Sequence, residues 1–321
     1  MKRILTLLSI ILIICLSITG CKSKSPTIEI SEDGYWVING EKTDVKAEGK
    51  DGADGKDGAD GKDGEGAQSE NPGDLDFYLT DEGTYMVAVG NAKYLSEITI
   101  PKTYKGKPVT GIAKNGFRDL QNLKSVIIPD SVTSIGEDAF YNCTSLTSIV
   151  IPDGVTSISY QAFANCSSLT SIVIPDSVTS IEIGAFNNCS SLKSIVIPDG
   201  VTSISDAAFS DCTSLTSIVI PDSVTSIGPY AFLNCTSLTS IVIPDSVTSI
   251  GGSAFANCSS LKSIVIPDSV TIIGPWAFNA CFFLSDVYYT GSEEQWRAIL
   301  VDYYDGSLLS AKIHYNYTPE Q

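Results

Sequence analysis

From Cys212 to Asn234 the chain reads CTSLTSIVIPDSVTSIGPYAFLN, and at Cys235 it starts again as CTSLTSIVIPDSVTSIGGSAFAN. This 23-residue period constrains the fold more than any other feature. Phenylalanine recurs at 117, 140, 163, 186, 209, 232, 255 and 278, cysteine at 143, 166, 189, 212, 235, 258 and 281, and proline at 129, 152, 175, 198, 221, 244 and 267. A fixed period in the twenties predicts stacked coils, each a small unit that buries its apolar face only against its neighbours. Within one coil, Leu146, Ile149 and Ile151 have the spacing of a short strand with one buried face. Pro152 and Asp153 break it with a turn, and Val155 and Ile158 point inward from a second extended piece. Ser159 to Phe163 is expected as one helical turn, with Ser159 as its cap and Ala162 and Phe163 inward.

A coil of this size buries too few side chains to repay the ordering of its backbone, and stacking supplies the missing burial and ladder hydrogen bonds. The fold class read from the sequence is therefore a β-rich solenoid, a rod of about eight 23-residue coils with short strands and short helical turns, capped at both ends. At about 4.8 Å per rung, eight coils span roughly 40 Å. Before the first coil, DFYLTDEGTYMVAV reads as a hairpin around Asp81 to Gly83. After the last, Ser292 and Gln295 form a capping box for a short helix, Trp296 and Ile299 cover the final apolar layer, and AKIHYNY closes as a strand.

The pattern LxxIxIPDxVTSIGxxAFxNCxSL resembles the BspA-like leucine-rich repeat of bacterial surface proteins, over about Ile98 to Leu284. The first coil departs from it: ITIPKTYKGKPVTGI carries five extra residues after the proline, and Leu120 stands where the cysteine would be. The resemblance implies a leucine-rich-repeat rod displayed at a surface, binding rather than catalysis, and adhesion to host or bacterial surface proteins. It does not fix the ligand.

Residues 1–21 read as a secretory signal: MKR is basic, ILTLLSIILIICLSI is apolar, and ITGC resembles a bacterial lipobox. That resemblance makes Cys21 the lipid-modified first residue of the mature protein and its attachment to a membrane. Residues 22–48 are expected as a spacer and a small β-hairpin turning at Asn39-Gly40. Residues 49–74 form a collagen-like or flexible linker, with glycine at every third position from Gly49 to Gly64. The absence of proline from Gly49 to Gly64 favours the flexible reading, with the stretch to Gly73 spanning on the order of 25–30 Å. Its aspartates do not match a calcium-binding loop. The N-terminal cap occupies 75–97, the repeats 98–284 and the C-terminal cap 285–321.

The formal net charge of -17 argues against a nucleic-acid partner and against electrostatic docking on anionic lipid. No residues support an enzyme: His314 is the one histidine, serines lack a His-Asp pattern, and no phosphate loop or metal cluster appears. No cofactor is expected. The repeat cysteines read as buried thiols, since in-register neighbours are spaced too widely for disulfides and lie in a row that offers no tetrahedral site. The Asp column at 130, 153, 176, 199, 222, 245 and 268 reads as solvated turn acids, and the NCT and NCS triplets as a by-product of the repeat.

The strand SIVIP scarcely changes between coils, whereas variation gathers around Ala-Phe. Tyr141, Tyr160, Ile183, Tyr230, Leu233 and Trp276 lie there and are the candidate binding residues. The sequence thus predicts a membrane-anchored, surface-displayed protein-binding rod whose partner is a host or bacterial surface protein. The alternatives are a structural or antigenic surface protein without a single ligand, and a carbohydrate-binding rod.

Overall fold

The computed structural model describes residues 28–30, 35–38, 41–46, 74–301 and 306–318. The leader, Cys21, the Asn39-Gly40 turn and the Gly-x-y stretch up to Gly73 lie outside them. The chain divides into two compact units, residues 1–66 with 318–321, and residues 67–317. In the first, Ile28–Ile30 pairs antiparallel with Tyr35–Ile38, which pairs antiparallel with Glu41–Lys46, so the hairpin expected there carries a third strand.

The second unit is the solenoid. Ten short strands share one position in successive coils, from Glu97–Thr99 and Ser125–Ile127 through Ser240–Val242 and Ser263–Ile266 to Asp286–Tyr289 and Lys312–His314. The last two continue the stack into the C-terminal cap, which is why it exceeds the eight coils counted by phenylalanine. Pairing is parallel and advances by one repeat, as in Ser148↔Ser171, Ile149↔Ile172 and Val150↔Val173. The middle residue of each strand faces inward and its neighbours outward, a period-2 pattern that follows from the pleat. A second set of two-residue strands, Ser157–Ile158 and its equivalents, stacks on the other side of each coil.

The Ala-Phe segment is not helical. In the coil of Phe163, the N–H groups of Ala162, Ala164 and Cys166 donate to carbonyls three residues back, while those of Gln161, Phe163 and Asn165 donate to Ile183, Ala185 and Asn187 of the next coil. Alternate amides thus close tight turns and bridge coils. Such alternation requires left-handed residues, and two per coil adopt them, two before and two after each phenylalanine: Gln161 (φ 48°) and Asn165 (φ 62°) here. Ser159 does not cap a helix; its hydroxyl donates to the Ile135 carbonyl of the preceding coil at 2.6 Å. A helical turn would satisfy only its own amides, whereas this arrangement ties every coil to the next.

The core is a set of columns. The eight phenylalanines are fully buried and stack ring on ring, with centroids 5.2–5.7 Å apart and planes within 5–12° of parallel. At the N-terminal end, Asp76–Leu79 and Tyr85–Ala88 form the hairpin, and Tyr85–Ala88 pairs with Lys107–Ile112 of the first coil. The five extra residues of that coil form a second hairpin, Thr103–Tyr104 against Lys107–Pro108, turning through Lys105 (φ 48°) and Gly106 (φ 75°). It brings the Tyr104 ring onto Phe77, centroids 3.9 Å apart, which clips the cap to the coil.

At the other end, helix α1 (Glu293–Ala298) carries the capping box: Ser292 Oγ accepts from the Gln295 amide, and Gln295 Oε1 accepts from the Ser292 amide at 2.8 Å. Trp296 packs beside the core, its ring 5.1 Å from that of buried Tyr289. No helix among the described residues is long and apolar enough to cross a membrane.

Candidate binding surfaces

Two outward faces run the length of the stack. The first is the Ala-Phe side, where the repeat varies. Tyr160 and Ile183 occupy equivalent positions in adjacent coils, three residues before the phenylalanine, and are about half exposed. Tyr230 and Trp276 share the next position, two coils apart, at 50% and 49% exposure. That position is one of the two left-handed ones, so Tyr230 has φ 59° and Trp276 φ 57°. Elsewhere the column holds Asn115, Asp138, Gln161, Gly184, Ala207 and Ser253, mostly residues that tolerate this conformation or are small. Leu233 follows three residues after Tyr230 and its amide closes the turn on the Tyr230 carbonyl.

Tyr141 is placed differently. It is partly buried, and the Arg118 guanidinium lies 4.0 Å from its ring centroid while also pairing with Asp138 at 3.2 Å. It thus belongs to a packed cation–π cluster. The structure therefore groups Tyr160 with Ile183, and Tyr230 with Leu233 and Trp276 along the same side, and sets Tyr141 apart.

The asparagines of the NCT and NCS triplets occupy the second left-handed position and form a ladder. Asn188 donates to Asn165 Oδ1 at 2.8 Å, Asn234 to Asp211 Oδ1 at 2.7 Å, and Asn257 to Asn234 Oδ1 at 2.8 Å. Asparagine recurs there because it accepts positive φ and its amide both donates and accepts. Inside, each repeat thiol donates to the carbonyl of the phenylalanine 26 residues earlier, at 3.1–3.3 Å. All seven are buried thiols outside any disulfide. Burial pushes the Cys143 and Cys212 thiols up to about 12, and those of Cys166, Cys189, Cys235 and Cys258 well above the ordinary value. Among the described residues no group of histidine, cysteine and carboxylate side chains is arranged to hold a metal ion.

The second face is the strand side. Its outward valines, with Ile127, are 44–64% exposed from Ile127 to Val242. Beside them runs a row of serines, from Ser125 to Ser263. One position before that row stand Lys124, Lys193 and Lys262, each exposed and each separated from the next by two threonine coils. Motif reading passes over them because they interrupt a threonine column without forming a signature; aligning the coils by their phenylalanines makes the shared column plain. The strip ends in the cap, where Tyr288 stacks on His314 at 4.8 Å and lies 4.7 Å from Tyr317. The His314 ring meets Asp286 Oδ1 at 2.7 Å, and this contact with the Ser285 hydroxyl holds the carboxyl below its ordinary range.

The comparison with known families agrees with this geometry. The model of the BspA type leucine rich repeat region matches residues 88–216 and 202–297, in six copies. The chain belongs to the BspA-type leucine-rich repeat proteins. Among solved structures, the Leucine Rich Repeat protein of T. pallidum is 30% identical over 60% of this chain and 91% of that one, with a TM-score of 0.56. A leucine rich cell surface protein from Faecalibacterium prausnitzii is 28% identical, covering 74% of this chain and 99% of that one, with a TM-score of 0.46. A leucine-rich repeat protein from Bacteroides ovatus is 30% identical, covering 67% and 70%, with a TM-score of 0.48. No curated protein matches. In this BspA-type repeat the columns that recur from coil to coil include the buried phenylalanines, cysteines and leucines, so membership speaks for the core and does not name a ligand for either outward face.

Proposed function

We propose that the protein is a surface-displayed rod, anchored to a membrane through lipid on Cys21, that binds another protein through its Ala-Phe side. The single observation carrying this reading is the conformation of Tyr230. A bulky aromatic at φ 59° is a strained choice in a column that, Trp276 apart, uses asparagine, aspartate, glutamine, glycine, alanine and serine. About half of its side chain stays turned to solvent. Strain retained on an outward aromatic points to a contact made elsewhere, and Tyr and Trp are the residue types that anchor interfaces. Trp276 repeats the arrangement two coils on, and Tyr160 and Ile183 add apolar area to the same side. Display at the cell surface is supported by the family and by the Faecalibacterium prausnitzii relative, itself described as a cell surface protein.

The test has two parts. Intact protein probed against an array of host-matrix and bacterial surface proteins and glycans binds a protein under this reading; binding to none supports a structural role. Cys21→Ala releases the protein from detergent-phase partitioning or blocks its processing; a variant that partitions as before removes the anchor from the account.

A further inference from the structure

We propose that the strand face is a second binding surface, built for a sparsely charged anionic polysaccharide lying along the stack. Between Asp119 and Tyr289 the only cationic residues are Lys124, Lys193 and Lys262, and every other charge in that span is acidic. All three lysines fall in one column of the 23 available, on the strand side, while the Asp column lies past the proline at the following turn. The seven strands from Ser125–Ile127 to Ser263–Ile266 carry no acid. A chain of net charge -17 thus keeps one acid-free strip, and the lysines sit along it.

Spacing then limits the partner. Successive lysines are three rungs apart, and at about 4.8 Å per rung this is about 14 Å. Double-stranded DNA offers a charge every ~1.7 Å, so most of its phosphates would face no cation and would meet the acidic remainder of the rod. A polymer with widely spaced carboxylates or sulfates matches the lysines without that repulsion, and charges on the far side are screened beyond about 8 Å.

The neutral groups distinguish sugar from peptide. Strand amides and carbonyls in this face are engaged with neighbouring coils, as where the Thr147 amide and hydroxyl both donate to the Lys124 carbonyl at 3.2 and 3.3 Å. A peptide running along the stack therefore finds no edge for main-chain pairing. The serines at 125, 148, 171, 194, 217, 240 and 263 are partly or fully exposed, and each hydroxyl both donates and accepts. A polysaccharide brings hydroxyls to that row and apolar C–H faces to the valine row beside it. At the C-terminal end the strip runs into the partly exposed aromatic pair Tyr288 and Tyr317.

Polygalacturonate, a carboxylate-bearing sugar polymer, is the probe, titrated into the intact chain, with dextran as the neutral control and poly-glutamate as the acidic peptide. The inference predicts binding to polygalacturonate that weakens as sodium chloride is raised. Combined Lys124→Ala, Lys193→Ala and Lys262→Ala lowers the affinity about tenfold, the sum of three modest exposed ion pairs. The three Lys→Arg changes keep it, and Lys114→Ala, on the other face, leaves it unchanged. Absence of binding, equal binding of dextran, or an alanine variant as tight as the parent overturns the inference. Tighter binding of poly-glutamate overturns the choice of sugar over peptide.

Discussion

The thiol of Cys235 donates a hydrogen bond of 3.2 Å to the main-chain carbonyl of Phe209, one coil earlier. That carbonyl also accepts from the amide of Cys212 in its own coil, so one buried oxygen joins two coils. The thiol–carbonyl bond recurs at every repeat cysteine, and from Cys166 onward the same carbonyl takes both donors, which explains why cysteine holds this column better than alanine: it fills a small space and satisfies a second lone pair there.

Burial of these thiols sets an alkaline limit on stability. Burial raises the thiols in the folded chain, to about 12 at Cys143 and Cys212, above the ordinary 9.0 that they have when unfolded. The stabilisation is therefore complete below about pH 9 and is lost as pH rises from there towards 12, because the unfolded chain ionises first. Each thiol that stays protonated in the fold while its unfolded counterpart ionises adds a slope of about 1.4 kcal/mol per pH unit. Circular dichroism should show cooperative unfolding above pH 9, and native protein should not react with a thiol reagent at pH 8. Rapid labelling at pH 8 would show that the column is open to solvent.

Phe209 lies between Phe186 and Phe232, with ring centroids 5.6 Å away on each side. Phe209→Ala removes the centre of the stack and should cost about 3–5 kcal/mol. In an array stabilised by neighbours, a break in the middle uncouples its halves, so the melting curve should separate into two steps. An unchanged curve contradicts the burial of this ring.

Asn234 tests the turn ladder. It is left-handed, at φ 59°, donates to Asp211 and accepts from Asn257. Asn234→Gly keeps the conformation and loses the amide pair; Asn234→Val loses both and adds β-branched strain. Chemical denaturation should rank them wild type, Gly, Val, with valine worse than glycine by about 1–3 kcal/mol. Equal stability of the two variants would argue for the helical turn instead.

Much of the fold was legible because the buried columns are nearly invariant within the chain: period, phenylalanine, cysteine and proline each mark a fixed place in the coil. The Ala-Phe segment was misread because Ala162, Phe163 and Cys166 are spaced as well for a helical turn as for paired tight turns. The feature that separates them was present in Asn165, Asn188, Asn234 and Asn257, a repeated residue with left-handed tolerance two places after phenylalanine. The two extra rungs were obscured because Asp286–Tyr289 and Lys312–His314 keep the strand but drop the rest of the repeat. Of the candidate binding residues, Tyr141 illustrates the limit: only the folded chain brings Arg118 over its ring.

Tyr230 separates fold from function in one substitution. Tyr230→Asn relieves a strained left-handed aromatic and should raise stability by about 0.5–1 kcal/mol while weakening partner binding. Thermal melting reads the first effect. A fall in stability on this change would remove the argument that the residue is kept against the interest of the fold.

The most direct test of the central claim compares two variants against the protein ligand that the array identifies. One carries Tyr160→Ser, Tyr230→Ser and Trp276→Ser; the other carries threonine in place of Val150, Val173, Val196, Val219, Val242 and Val265. The account predicts that the first variant loses protein binding, each anchor contributing roughly 2 kcal/mol, while the second retains it. Protein binding lost in the valine variant and kept in the aromatic one would contradict it.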